Sequence, residues 1–123
     1  MFSKLTSIIT TTLAVSSAAL AAPSPSAGVN VEVCTDTNLS GCTTIPVTFG
    51  VCVNFQGDYS SLNNAVSSAS IPAGSSCTFY DITNCNVGSS SGGPWVALAA
   101  GDHDDLSTLG FDNLASSFFC NPA

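Results

Sequence analysis

The sequence predicts an all-β domain, a disulfide-stabilised β-sandwich, on three observations. Short segments alternate apolar and polar residues with a period of two, which is typical of strands with one buried face. Clusters of Gly, Pro, Asn, Asp and Ser separate these segments, as turns do between short strands. No segment carries a sustained helical period, and six cysteines follow the N-terminal region, so disulfide bonds are expected to support a modest core.

The N-terminal region is predicted to be a secretory signal peptide, residues 1–21. Lys4 precedes a run of apolar and small residues, and Ala19-Leu20-Ala21 has the A-x-A form of a cleavage site. The run is short and rich in Ser and Thr, which argues against a membrane anchor. The mature protein is therefore expected to be extracellular, with a flexible arm at 22–28 and one domain at 29–123.

Charge excludes several classes of partner. Lys4 is the one Lys or Arg among 123 residues, against eight Asp and Glu. The mature chain cannot neutralise phosphates, so nucleic-acid binding is not expected. Anionic membranes would repel it. Such an acidic surface suits cations, although net negative charge can also serve solubility alone.

The six cysteines predict three disulfide bonds in an oxidising compartment. They are Cys34, Cys42, Cys52, Cys77, Cys85 and Cys120. Sequence alone leaves fifteen pairings open. A C-x7-C spacing occurs twice and suggests local closures, Cys34 with Cys42 and Cys77 with Cys85. Zinc is disfavoured because no C-x2-C pair occurs.

The first half of the domain shows strands separated by turn residues. In chain order we assign a strand at 29–33, a turn at 35–38, two strands within 42–55, a polar loop at 56–64, a strand at 65–71 and a turn at 72–74. Gly50 predicts the bend that divides 42–55 into two strands. Pro46 predicts an edge or bulged position, because it has no backbone N–H to donate.

The second half repeats this plan. In chain order we assign a strand at 77–80, a turn region at 81–88, a flexible loop at 89–93, a strand at 94–99, an acidic loop at 101–105, a helical turn at 106–109 and a strand at 118–120. Trp95 is the only tryptophan, and we expect it in the core.

A repeated polar motif occupies matching places in the two halves. Residues 63–68 are Asn-Asn-Ala-Val-Ser-Ser, and residues 112–117 are Asp-Asn-Leu-Ala-Ser-Ser. Each copy offers amide or carboxylate oxygens, hydroxyls and backbone carbonyls, and calcium takes six to eight oxygen ligands. The alternative is that these residues only cap turns. Two matched copies favour a calcium site.

A resemblance to a known family rests on this motif and its surroundings. Residues 80–85, Asp105-Leu106 and residues 109–118 resemble the second Greek key of a βγ-crystallin domain, closest to the small secreted versions of filamentous fungi. The first half matches more loosely, with Cys34 and Leu39 where the family's hairpin carries aromatic residues. The resemblance implies two Greek-key motifs, at about 29–72 and about 75–121, forming a β-sandwich.

The family's calcium motif, Asn/Asp-Asn/Asp-x-x-Ser/Thr-Ser, implies specific ligands. They come from the first polar residue, the carbonyl of the third and the hydroxyl of the fifth: Asn63, Ala65 and Ser67, then Asp112, Leu114 and Ser116. Hairpin carbonyls near Thr37 and Thr83 are also implied, while Ser68 and Ser117 would tie down the hairpins. Two calcium ions are expected, with modest affinity because only Asp112 is a carboxylate.

Other motifs carry less weight. Residues 88–92 match G-x-S-x-G, but a nucleophile elbow needs a strand before it and a helix after it. His103 lies in an acidic loop, where a single solvated histidine is usually neither a ligand nor a base. We therefore predict no catalytic residues and no enzyme activity. Asn38 begins an N-x-S sequon and is a candidate glycosylation site, although such sequons are commonly unused.

The sequence thus predicts a secreted, calcium-binding, βγ-crystallin-like monomer in which calcium stabilises the fold. The alternative is a secreted interaction protein on the same scaffold, such as a protease inhibitor, an antimicrobial protein or a host-directed effector. An enzyme ranks third. The biological role depends on analogy, because a fold does not determine a function.

Overall fold

The computed structural model describes residues 28–86 and 93–123, which form two packed four-stranded antiparallel sheets. The strands are β1 (Gly28–Asp36), β2 (Ser40–Thr48), β3 (Val53–Asn54), β4 (Ser68–Ile71), β5 (Ser75–Tyr80), β6 (Trp95–Leu98), β7 (Gly101–His103) and β8 (Ser117–Pro122). Three short 3-10 helices span Gly57–Leu62, Thr83–Asn86 and Leu106–Leu109.

The two halves of the domain exchange strands. The first sheet has the order β2-β1-β4-β7, and the second sheet has the order β3-β8-β5-β6. Each sheet therefore takes three strands from one half and its fourth from the other. This arrangement confirms the predicted β-sandwich of two Greek-key motifs, and it makes the halves depend on each other for a complete sheet.

The core lies between the sheets and follows the predicted alternation. Val31 and Val33 of β1 are fully buried, as is Ile45 of β2. From the second sheet, the ring of Phe118 stacks on Phe79 with centroids 4.7 Å apart and planes at 7°. Burying each such side chain contributes roughly 1.5–3 kcal/mol.

Local backbone features agree with several predictions. Gly50, with φ of 81°, turns the chain between β2 and β3, as expected for the bend within residues 42–55. Pro46 lies in β2, an edge strand of the first sheet. The predicted helical turn over Leu106–Leu109 forms and ends at Gly110 in the left-handed conformation.

Four expectations about burial and secondary structure were wrong. Trp95 is 61% exposed, because the inner face of β6 is formed by Val96 and Leu98 and the tryptophan points outward. The acidic loop at 101–105 contains β7, and the polar loop at 56–64 contains the 3-10 helix that buries Leu62. Gly28, assigned to the flexible arm, is the first residue of β1.

Three disulfide bonds are confirmed, with one of the two suggested local closures. Cys34 bonds to Cys42 as expected, whereas Cys77 bonds to Cys120 and Cys85 to Cys52. The suggested Cys77–Cys85 bond is wrong because Cys77 lies directly opposite Cys120 in the β5–β8 pairing.

Some predictions concern residues outside the described part of the chain. The signal peptide at 1–21, the arm at 22–27, and the Ser/Gly loop with its G-x-S-x-G match at 88–92 fall there. Within residues 28–86 and 93–123, no helix has the length and apolar character to cross a membrane.

Candidate metal centre

The fold brings the two repeated motifs together. The backbone N–H of Asn64 donates to the carbonyl of Ala115 at 2.9 Å, and that of Asn113 donates to the carbonyl of Val66 at 3.0 Å. In both bonds the second residue of one motif contacts the fourth residue of the other. The motifs are therefore related by an approximate two-fold axis, and each could contribute to a site with the other.

The second residue of each motif turns the backbone. Asn64 has φ of 56° and Asn113 has φ of 59°, a left-handed conformation that asparagine tolerates better than most residues. Among the described residues, no donor bonds to the carbonyl oxygens of Ala65 and Leu114, which come next. Both carbonyls were expected as ligands from the sequence, and both have free acceptor capacity.

Two side-chain oxygen pairs cross between the motifs. Ser67 Oγ lies 3.4 Å from Asn113 Oδ1, and Ser116 Oγ lies 3.3 Å from Asn64 Oδ1. These separations exceed the usual O–H···O range of about 2.5–3.0 Å. Two oxygens this far apart, each about 2.4 Å from a calcium ion, would subtend about 90° at the metal. Each pair thus suits adjacent ligands of one ion.

The amide oxygens of Asn64 and Asn113 were not among the ligands expected from the sequence. The family resemblance implied the first polar residue of each motif instead, Asn63 and Asp112. The available signal was that the second position is asparagine in both copies. What sequence does not reveal is the left-handed turn, which directs the second side chain toward the serine of the opposite motif.

Asp112 supplies the clearest sign that a cation would fit between the motifs. Its Oδ1 is buried without a hydrogen-bond partner in the described structure, while Oδ2 accepts a bond from Asn113 Nδ2 at 3.1 Å. An unpaired, buried carboxylate oxygen destabilises a fold unless a cation compensates it. Calcium is a hard cation that prefers carboxylate, amide, hydroxyl and carbonyl oxygens. The residues present therefore fit calcium.

The last serine of each motif holds a hairpin over the sheet. Ser68 Oγ and Ser117 Oγ each donate to a hairpin carbonyl and accept from the amide three residues later. The partners are Asp36 and Leu39 for Ser68, and Ile82 and Cys85 for Ser117. These two pairs of hydrogen bonds span Thr37 and Thr83, where additional carbonyl ligands are expected. They therefore fix both positions relative to the motifs.

The acidic region around His103 is built differently. His103 Nε2 lies 2.7 Å from the carbonyl of Ala99, so this nitrogen is the protonated donor. The hydroxyl of Ser107 and then its backbone N–H donate to Asp105, which lowers the pKa of that carboxyl. Within the described ranges, no three His, Cys, Asp or Glu side chains are grouped to hold a metal.

Comparison with known proteins identifies similar folds. No family model and no curated protein matches the chain. A structure concerning the evolution of the eye lens βγ-crystallin domain fold matches with a TM-score of 0.62 and 21% identity, covering 84% of this chain and 95% of its own. A βγ-crystallin from an archaeon matches with a TM-score of 0.55 and 26% identity, covering 76% and 96%.

A third similar structure includes a metal. It is a βγ-crystallin domain of Abundant Perithecial Protein from Neurospora crassa, solved in its Ca2+-bound form. Its TM-score is 0.55 with 21% identity, and the match covers 82% of this chain and 96% of that domain. At this identity the likeness establishes the fold.

Proposed function

Since the chain has the fold of a βγ-crystallin domain, we propose that it is a secreted protein that binds two calcium ions, which stabilise its fold. The observation that carries this proposal is the buried Asp112 Oδ1, which has no partner among the described residues. The ligands would be Asn63, Ala65, Ser67, Asp112, Leu114 and Ser116, joined by the amide oxygens of Asn64 and Asn113.

Calcium would act through mass action. An ion that binds only the folded state stabilises it by about 2.7 kcal/mol when the free ion is at 100 times its dissociation constant. The motifs come from different halves of the chain, so a bound ion would link the halves directly. Extracellular calcium modules commonly have dissociation constants of about 10⁻⁴–10⁻³ M, and sites made mostly of neutral oxygens suit that range.

Calorimetric titration of oxidised residues 22–123 with calcium tests the proposal. We expect about two ions per chain and a higher melting temperature in calcium than in chelator. Ser67→Arg and Ser116→Arg should each reduce binding, because a cation would replace a ligand hydroxyl. Thr48→Arg, an exposed change in β2, adds the same charge away from the motifs and should retain binding. Absence of binding up to several millimolar calcium would instead favour the interaction-protein alternative.

Secretion and glycosylation belong to the same proposal. The three disulfide bonds favour an oxidising compartment. Asn38 is exposed in the turn between β1 and β2. Expressed in a glycosylating secretory host, the full chain should appear in the medium cleaved after Ala21, with a glycan at Asn38 that Ser40→Ala removes. Intact mass spectrometry of the secreted protein measures both the cleavage and the glycan. Retention in cells would contradict secretion, and an unmodified mass would contradict glycosylation.

A further inference from the structure

The two sheets differ in charge. The strands of the first sheet carry Glu32, Asp36 and Asp102, whereas β3, β5, β6 and β8 of the second sheet contain no Asp, Glu, Lys or Arg. The remaining acidic residues in the described ranges lie in loops and 3-10 helices. The second sheet therefore offers an uncharged surface on a strongly acidic protein.

Aromatic side chains occupy the outer face of the second sheet. Trp95 lies directly opposite Tyr80 in the β5–β6 pairing, and residues directly opposite each other point to the same face. The ring of Tyr80 is nearly parallel to that of Phe119, with centroids 6.0 Å apart. Trp95 is the most exposed of these, at 61%. A large exposed apolar side chain beside other aromatics indicates an interaction surface.

The edge strands show where a partner could add. Natural sheets protect their edges with proline, charge or very short strands. Here β2 contains Pro46, β3 has two residues, and β7 has three residues including Asp102. By contrast, β6 has four residues, Trp-Val-Ala-Leu, with neither charge nor proline. In the described structure β6 pairs only with β5, and no described strand covers its other edge.

We propose that two copies of this chain associate by antiparallel pairing of their β6 strands about a two-fold axis. This pairing would join the second sheets of both copies into one continuous sheet. The charge distribution determines where a second copy could approach, because residues 28–123 contain no Lys or Arg and two acidic copies cannot pair their surfaces through salt bridges. Their mutual repulsion is weaker at the second sheet, whose strands carry no carboxylate, than at the first.

The side chains of β6 fit this self-pairing. A two-fold axis through Val96 places Trp95 opposite the partner's Ala97, and Ala97 opposite the partner's Trp95. Both residues are exposed and belong to the outer face, so they would meet on one side of the joined sheet. The small alanine leaves room for the indole. A stable interface usually involves about 20–30 residues per partner, so this dimer should be weak and concentration-dependent.

The test uses oxidised residues 22–123 in chelator, which separates this inference from calcium binding. Sedimentation velocity from about 5 µM to about 500 µM should show the average mass rising toward twice that of the monomer. Emission from Trp95, the only tryptophan, should shift to shorter wavelengths over the same range as the indole becomes buried. A chain that remains monomeric throughout would overturn the proposal.

Matched variants test the surface itself. Ala97→Glu would place a carboxylate beside the partner's Trp95 and should abolish association and the emission shift. Thr48→Glu adds the same charge at an exposed position of the first sheet and should preserve both. Trp95→Ala, an exposed change with little expected effect on folding, should also yield a monomer. Pairing through β6 would be overturned if association survives both Ala97→Glu and Trp95→Ala. It would also be overturned if Thr48→Glu abolishes association to the same extent as Ala97→Glu.

Discussion

Replacing Cys77 and Cys120 together by alanine is expected to lower the free energy of unfolding by about 4 kcal/mol. The bond joins residues 43 positions apart, and cross-linking a long loop removes more conformational entropy from the unfolded chain than cross-linking a short one. The side chains of Cys77 in β5 and Cys120 in β8 are 1% and 0% exposed, so replacing them would also loosen the core. Urea unfolding of the oxidised chain measures the change.

The Cys34–Cys42 bond provides the matched comparison. It also joins directly opposite residues of neighbouring strands, but its separation is 8, so its removal should cost about 2.5 kcal/mol. The double variants Cys77→Ala/Cys120→Ala and Cys34→Ala/Cys42→Ala should therefore rank in that order. Equal losses, or the reverse order, would mean that native-state contacts rather than loop length determine the contribution of each bond.

The strands that sequence identifies well are those with several alternating residues. Val31 and Val33, or Val47 beside Ile45, alternate clearly because one face of each strand is buried. The exchanged strand β7 has three residues, too few to show a period, and was assigned to a loop. The other exchanged strand, β3, was predicted within residues 42–55, but the pairing of both strands with the opposite half is not encoded in local sequence. The arrangement of two Greek-key motifs was instead predicted from the repeated motif and its resemblance to a family.

Disulfide pairing and the position of Trp95 show a second limit. Cys34 and Tyr80 occupy equivalent places in the two halves, since their carbonyls accept from Ser67 and Ser116 respectively. The cysteines of the two halves are therefore not equivalent, and the repeated C-x7-C spacing was a misleading guide. Trp95 was assigned to the core as the only tryptophan, yet on a four-residue edge strand the phase of alternation decides which face a residue occupies.

The candidate site could be predicted in part. Sequence located both motifs, and the structure places Ser67 and Ser116 at their interface. The sequence could not show that each serine faces the second asparagine of the opposite motif. That contact depends on the approximate two-fold axis and on the turns at Asn64 and Asn113. Nor could sequence show that one oxygen of Asp112 is buried without a partner among the described residues, a property that only packing creates.

Asp112→Asn is expected to change stability in opposite directions with and without calcium. In chelator, the variant should be more stable than the wild type by about 1–3 kcal/mol, because it removes a negative charge from a buried oxygen that has no hydrogen-bond partner in the described structure. The increase in the free energy of unfolding that calcium causes should be smaller for the variant than for the wild type, because the one carboxylate of the motifs is lost. Urea unfolding in chelator and in saturating calcium measures both changes.

Asp58→Asn separates this effect from net charge. Asp58 is exposed in the first 3-10 helix, so its replacement removes the same charge with an expected change within about 0.5 kcal/mol in either condition. If Asp112→Asn is less stable than the wild type in chelator, the negative charge of Asp112 is stabilised by the protein itself without a cation. An undiminished calcium response would mean that Asp112 is not a ligand. The joint result, a more stable apo state with a weaker response, is specific to a buried carboxylate whose partner is calcium.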